Sequence, residues 1–337
     1  MDKMTEFEKE DVKLVAEQKI AWDKLTNKTI LISGGTGFIG SFIIEVLRYR
    51  NQYYNQGIKV ISISRKGGMS DSMVEYLKAD IVKQLQFDEP IDFILHLASN
   101  THPKQYGEDP VGTILTNVLG CNNLLQLAVK QKIERFLLAS SVEIYGEAKE
   151  KLISEDYVGY VNCNDARSGY NEAKRTCEAL CQSYKMQYGV DIVITRLARV
   201  FGADHKEDSK AMAQFMDRAV LEKDIVLKSE GMQRYSYCYL ADAASGILHV
   251  LLTGTSGEAY NISEDDESMT LGEYAAFIAS LANKKVIKKI ENNTNVSKAV
   301  YALMDTKKIK EIGWNPLKGH IQFIKKDNAT RIWRNAI

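Results

Sequence analysis

The sequence predicts an α/β fold, a doubly wound parallel sheet with helices on both faces and a smaller α+β lobe toward the C-terminus. Two observations predict it. Short, continuously apolar runs at 29–33 (TILIS), 59–64 (KVISIS), 93–99 (FILHLAS), 135–141 (RFLLASS) and 191–197 (DIVITRL) alternate with helical stretches at 38–50, 112–131 and 169–188. Strands covered on both faces are apolar throughout, and parallel neighbours need a crossover long enough for a helix. Beyond about residue 200 the alternation loosens into a helix at 212–223, a strand at 224–229, a helix at 240–252, a strand at 258–263 and a helix capped by Thr270 over 270–282.

At the other end, Phe7, Val12, Val15, Ile20, Trp22 and Leu25 recur among many charges, which predicts one or two amphipathic helices packed outside the main fold. The expected organisation is therefore a helical extension (1–28), a main α/β domain (29–202 plus about 238–257) and a lobe built from about 203–237 and 258–337. Only four prolines, scattered along the chain, argue against a flexible linker between them.

Composition narrows the function. Lys plus Arg equals Asp plus Glu at 44 each, so the chain lacks the electrostatic footprint of a nucleic-acid binder. No apolar run reaches membrane-spanning length. The N-terminus has neither the apolar core nor the small-residue cleavage site of a signal peptide. Five cysteines, Cys121, Cys163, Cys177, Cys181 and Cys238, lack metal-site spacing and read as reduced, mostly buried thiols. A cytoplasmic protein, with no metal, membrane or nucleic-acid partner, is expected.

The first strand runs into "SGGTGFIG", with Gly34, Gly37 and Gly40 at three-residue spacing before a helix. Glycines there permit a sharp turn and close approach of a diphosphate, and the helix N-terminus supplies N–H groups and partial positive charge. This is the Rossmann-type signature, and it places Gly34, Gly37, Phe38, Ile39 and Gly40 at a dinucleotide. An NAD-specific site carries an acidic residue at the end of the second strand to hold the ribose hydroxyls. Here that end reads Ser64, Arg65, Lys66, which leans toward the 2′-phosphate of NADP(H) while leaving NAD(H) open. Asp80 and Ile81 follow the next apolar stretch, where an acidic side chain reaches the adenine amino group.

Tyr170 and Lys174, in "SGYNEAKR", stand four residues apart and so share one face of a helix. Spacing alone says only that a phenol and an ammonium can meet. The ordered set "GGTGFIG", "HLAS" (96–99), "TNVLGCNNLL" (116–125), "SSVEIYG" (140–146), "YNEAK" (170–174) and "RLARVFG" (196–202) resembles the extended short-chain dehydrogenase/reductases. Within them it is similar to the nucleotide-sugar epimerases, dehydratases and decarboxylases, and "RSGYNEAKRTCEAL" to the UDP-glucuronate decarboxylases in particular. The resemblance covers roughly residues 29–285.

That resemblance implies a role for each matching residue. Tyr170 is the acid/base that takes a sugar hydroxyl's proton as hydride leaves the same carbon for NAD(P). Lys174 holds the nicotinamide ribose and favours the phenolate. Ser141 shares the reacting hydroxyl's hydrogen bonds, and its position at a parallel strand's carboxyl end agrees independently with where such sheets bind ligands. Leu97, Ala98 and Ser99 line the cofactor, and Asn117 helps hold the helix bearing the active site.

Three positions depart from the relatives' pattern. The dehydratases pair Asp with Glu after the Ser/Thr position and the decarboxylases pair Ser with Glu, whereas this chain has Val142 and Glu143. Glu143 is a second base, a positioning group or a rim carboxylate, and 4,6-dehydration loses its acid. Arg199 stands where relatives have Asn, and a guanidinium there can pair bidentately with phosphate or carboxylate. Tyr235 stands where relatives have an Arg for the diphosphate or substrate carboxylate. Arg234, one residue early, points to the opposite face if that segment is a strand.

The expected function is oxidation of a nucleotide-linked sugar at C4, then epimerisation or decarboxylation and re-reduction. A 4-ketosugar reductase or dehydrogenase and a 4,6-dehydratase are the alternatives. A non-catalytic dinucleotide sensor has no use for the intact Ser141, Tyr170 and Lys174. The resemblance also implies a homodimer joined through the long helices at 112–131 and 169–188, whose apolar residues packing within one chain explains equally well.

Overall fold

The computed structural model describes residues 4–99, 107–148, 152–202, 210–264, 269–290, 301–317 and Ile324. Its centre is a seven-stranded sheet in which every pairing is parallel. The strands are β1 (Thr29–Ser33), β2 (Lys59–Ser64), β3 (Val74–Lys78), β4 (Phe93–His96), β5 (Arg135–Ser141), β7 (Ile192–Leu197) and β12 (Ala259–Ile262), in the order β12-β7-β5-β4-β1-β2-β3. From β1 the chain winds outward through β2 and β3, then returns to β4 and continues the other way. The reversal between β1 and β4 leaves a crevice at the strands' carboxyl ends, where ligands bind in such sheets.

Helices form where capping and termination agree with the apolar period. α2 (Phe38–Tyr54) ends on Asn55 and α3 (Pro110–Gln131) on Lys132, each left-handed at φ 53°. α3 starts with Pro110 in its first turn while the Asp109 carboxylate accepts the Gly112 N–H at 2.9 Å. α4 (Gly169–Tyr188) stops at Gly189, φ 70°. α3 and α4 pack against each other on one sheet face, over a core that includes Cys121, Cys177 and Cys181. The other face carries α2 and α6 (Leu240–Thr253).

The lobe is made of short pieces. α5 (Ala211–Val220) and α7 (Leu271–Leu281) accompany three small sheets. These join β10 (Arg234–Tyr235) to β14 (Tyr301–Met304) and β6 (Leu152–Ile153), β11 (Tyr237–Tyr239) to β8 (Arg199–Phe201), and β13 (Val286–Lys288) to β9 (Ile225–Leu227). A short α8 (Lys307–Glu311) follows.

Four expectations are corrected. The strand at 259–262, assigned by sequence to the lobe, is the outer strand of the main sheet, paired with β7. β6 and β8, which precede residue 203, pair with β14 and β11 and not with the main sheet, because the chain leaves the sheet's carboxyl edge there. The strand expected over 93–99 stops at His96, since the chain must turn across the sheet edge. The N-terminal helices are not packed outside: Val12, Val15, Ala16 and Leu25 are fully buried in the main core. The expected lobe segments at 291–300, 318–323 and 325–337 lie outside the described residues.

α1 (Glu6–Ala16) starts with a reciprocal box, Glu8 N–H to Thr5 Oγ1 at 3.2 Å and Thr5 N–H to Glu8 Oε2 at 2.8 Å. Its Asp11, only 2% exposed, accepts the Tyr239 hydroxyl at 2.9 Å. Ser245 donates to Gln18 at 2.6 Å. Arg50 donates to Ala16 O at 3.1 Å while its guanidinium lies between the rings of Trp22 and Tyr54. The extension is thus joined to α2, β11 and α6 by buried polar contacts as well as apolar ones. Tyr239→Phe takes a donor from the buried Asp11 carboxylate and is expected to cost about 1–3 kcal/mol, read as a lower urea midpoint.

Candidate active site

The crevice is built around β1. Gly34 has φ +80°, and a Cβ there would lie 2.9 Å from Ala98 N. A Cβ on Gly40 would overlap the Gly34 carbonyl oxygen and come within 2.8 Å of Gly35 Cα. Turn, loop 97–99 and helix start therefore touch backbone to backbone. α2 has no side-chain cap at Gly37, so the first N–H groups of the helix, at Phe38, Ile39 and Gly40, have neither intrahelical nor side-chain acceptors there. A glycine-lined turn on an uncapped helix N-terminus fits a diphosphate.

At the end of β2, Ser64 Oγ accepts the Gly67 N–H at 3.0 Å and shapes the turn. Arg65 and Lys66 are exposed and make no ion pair among the described residues. Asp80 Oδ1 accepts the Val82 N–H at 3.1 Å, and Ile81 is buried with its carbonyl taken by Asn123 at 2.8 Å.

Loop 97–99 is tied down on both sides. Leu97 N–H donates to Ser33 O at 3.1 Å and Ala98 N–H to Ser33 Oγ at 3.2 Å. Ser99 Oγ donates to Asn117 Oδ1 at 2.8 Å, Asn117 Nδ2 to Thr113 O at 2.8 Å, and Cys177 of α4 to Asn117 O at 3.4 Å. The fully buried Asn117 therefore links loop, α3 and α4.

β5 ends at Ser141, whose Oγ accepts the Glu143 N–H at 3.2 Å and opens a single turn over 142–145. α4 lies along this strand end with Tyr170 at 4% and Lys174 at 2% exposure. Lys174 Nζ donates to Ala139 O at 2.8 Å. Asn171 donates to Glu143 O at 2.7 Å, and Arg175 to Ile144 O at 2.6 Å and Gly159 O at 2.7 Å. Three side chains of one helix thus hold the strand end and turn bearing Ser141 and Glu143.

On the lobe side, Arg199 Nη2 lies 3.3 Å from Glu143 Oε1, and its guanidinium stacks 3.8 Å over the Tyr235 ring. Arg234 takes the other direction, 3.9 Å from Glu273, as alternation along β10 requires, and does not join the Arg199 cluster.

Sequence reasoning missed Asn171, Arg175, Ser33 and His96. Asn171 and Arg175 flank the Tyr–Lys pair on its helix, which is the one available signal; their acceptors are backbone carbonyls, which no residue type announces. His96 Nδ1 lies 2.8 Å from Ser33 Oγ in the wall behind the glycine turn. Burial, with the Lys174 charge as a second cause, pushes its pKa down to about 3. The folded protein thus keeps His96 neutral, whereas the unfolded chain protonates it below its ordinary value near 6.5. This contribution to stability is complete above pH ~6.5 and is lost as pH falls toward 3. Between about pH 7 and pH 5 it is expected to remove about 2 kcal/mol, and His96→Asn should flatten that slope in urea titrations.

Fold and site together define a Rossmann-type α/β protein in which a buried tyrosine–lysine pair lies on a helix docked against the strand that ends in Ser141. The model of the NAD dependent epimerase/dehydratase family matches residues 30–263. A relative, UDP-glucuronic acid decarboxylase 3 of Arabidopsis thaliana, is 33% identical over 300 residues, covering 86% of this chain and 85% of that one. The chain belongs to the NAD-dependent epimerase/dehydratase family, and it is an enzyme of that type. Two solved structures share the fold. The dTDP-glucose 4,6-dehydratase of Streptomyces venezuelae with NAD bound superposes with a TM-score of 0.77 at 22% identity, over 91% of this chain and 97% of that one. The UDP-glucuronic acid 4-epimerase of Bacillus cereus, with UDP-glucuronic acid and NAD, also gives 0.77, at 20% identity over 91% and 99%.

Proposed function

We propose that the chain oxidises the sugar of a UDP-sugar at C4 with a bound NAD(P) cofactor, epimerises or decarboxylates the product, and re-reduces it. The observation that carries this reading is the placing of Tyr170 and Lys174. Both are buried, one helical turn apart, against the strand that ends in Ser141, and Asn117 ties the same helix to the loop packed on the glycine turn. The likeness to UDP-glucuronic acid decarboxylases supports UDP as the nucleotide.

In this reading Gly34, Gly37 and the N–H groups of Phe38, Ile39 and Gly40 hold the diphosphate, Asp80 and Ile81 the adenine, and Leu97–Ser99 the far side of the cofactor. When bound, the nicotinamide supplies a hydride acceptor for the sugar C4. Tyr170 removes the C4 hydroxyl proton as the hydride departs and returns it on re-reduction. Ser141 Oγ, already fixed by the Glu143 N–H, hydrogen-bonds that hydroxyl. Lys174 brings a positive charge to the nicotinamide ribose and to the developing phenolate. Glu143 serves the second step as base or as a positioning carboxylate. Val142 offers no acid for loss of a C6 hydroxyl, which disfavours 4,6-dehydration.

A second reading, net reduction of a 4-ketosugar with NADPH, is favoured by the exposed Arg65 and Lys66 beside Ser64, two cations at the ribose end. A homodimer is proposed through α3 and α4, because α3 exposes Val111, Ile114, Leu115 and Leu119 along one face. No helix among the described residues is long and apolar enough to cross a membrane, and we place the enzyme in the cytoplasm.

Tyr170→Phe is expected to lower turnover by about 10²–10⁴-fold, with the cofactor retained, in NMR assays of UDP-sugars. Denaturing the purified protein should release NAD(P), and turnover should consume none of it. Stoichiometric consumption of NADPH would instead establish the net reductase.

A further inference from the structure

Two arginines leave the sheet three residues apart, and their surroundings differ in a way that separates structure from binding. Arg196, on β7, is paired bidentately with Glu178, Nε at 3.1 Å and Nη2 at 2.7 Å, both side chains being only 12% exposed. Its Nη1 donates to the Tyr145 hydroxyl at 3.0 Å and to Glu155 O at 2.5 Å. Each of its guanidinium nitrogens thus has an acceptor, and the group is a structural clamp.

Arg199, at the start of β8, is left incomplete. Tyr235 covers one face of its guanidinium, at 3.8 Å. Nη2 makes a single contact with Glu143 at 3.3 Å, long for a charge-assisted hydrogen bond, and the Glu143 side chain is 42% exposed. Nη1 is buried and has no acceptor among the described residues. A planar fork with one donor orphaned and another weakly engaged is built for an oxyanion supplied from outside.

The position of the fork says which oxyanion. Glu143 stands two residues beyond Ser141, whose Oγ holds the Glu143 N–H, and Asn171, next to Tyr170, holds the Glu143 carbonyl. The cation therefore lies beside the strand end and turn that carry Ser141 and Glu143. We propose that Arg199, seated on the Tyr235 ring, receives a carboxylate carried by the sugar of the substrate, and that Glu143 is the internal carboxylate it displaces. A neutral sugar leaves Nη1 unpaired and Glu143 in place, so the pair selects anionic sugars. Displacement also frees Glu143 beside the reacting carbon when an acidic sugar is bound. This inference rests on the UDP-sugar reading above.

The test is calorimetric binding of UDP-glucuronate, UDP-glucose and UDP to the full chain with its co-purified cofactor. Arg199→Met should weaken UDP-glucuronate by about tenfold or more while UDP-glucose and UDP change by less than about twofold. Arg199→Lys, which keeps stem and charge but loses the fork, should fall between wild type and Arg199→Met if folding is intact. Glu143→Gln, which removes the competing carboxylate, should tighten UDP-glucuronate by about threefold or more. Equal weakening of all three ligands by Arg199→Met would assign the cation to the diphosphate and overturn the proposal. So would unchanged affinity in Arg199→Met, or weaker UDP-glucuronate binding in Glu143→Gln. If wild type binds none of the three, the UDP-sugar reading fails and this inference with it; if it binds all and Arg199 is silent, only the inference fails.

Discussion

A buried ammonium must find acceptors, and much of the site follows from how Lys174 finds one. At 2% exposure it donates to the carbonyl of Ala139, two residues before the end of β5. That contact fixes the height of α4 along the strand, and the same docking brings Asn171 and Arg175 to the carbonyls of Glu143 and Ile144. The turn carrying Ser141 and Glu143 is thereby set by one helix rather than by its own sequence. Asn117 carries the same frame across α3 to loop 97–99, on which Gly34 packs without room for a side chain. The glycine turn and the tyrosine–lysine pair, 136 residues apart in the chain (34 to 170), share one rigid reference.

What the sequence made legible is what depends on burial over many residues. β1, β2 and β5 fall on the apolar runs 29–33, 59–64 and 135–141, because a strand covered on both faces has no freedom to be polar. The glycine spacing and the Tyr–Lys interval are equally local. The lobe is different. β6, β10 and β14 are two to four residues long, and Leu152 pairs with Leu303 across half the chain. Such pieces bury too little for a period to show, and their pairing is decided by the rest of the fold. The alternation rule still held where it applied, turning Arg234 and Tyr235 to different neighbours.

α6 explains why the N-terminal helix lies inside the core. Twelve consecutive residues of α6, Ala241–Leu252, are buried, so this mostly apolar helix is enclosed all round and needs cover on the side away from the sheet. α1 and α2 supply that cover, and Gln18 and Asp11 satisfy the hydroxyls of Ser245 and Tyr239 that the packing would strand. The amphipathic period of residues 7–25 announced a helix with one apolar face. It did not announce the partner, because the need for one is written some 230 residues later, in α6.

The same separation of scaffold and surface locates specificity. Arg199 and Tyr235 sit on β8 and β10, outside the seven-stranded sheet, on connections that leave its carboxyl edge. Their stacking leaves the Arg199 guanidinium with one face on a ring and one nitrogen without an acceptor among the described residues, whereas Arg196, at the end of β7, is closed by Glu178, Tyr145 and Glu155 into the frame that holds Asn261 and β12. A change at Arg196 would be felt as lost stability. In the proposed reading a change at Arg199 alters which oxygen finds a partner in the crevice, because β8 lies outside the sheet whose β5 ends in Ser141. In the proposed reading, chemistry at C4 and recognition of what the sugar carries are held by separable groups that meet, among the described residues, at Glu143, whose backbone belongs to the first set and whose carboxylate belongs to the second.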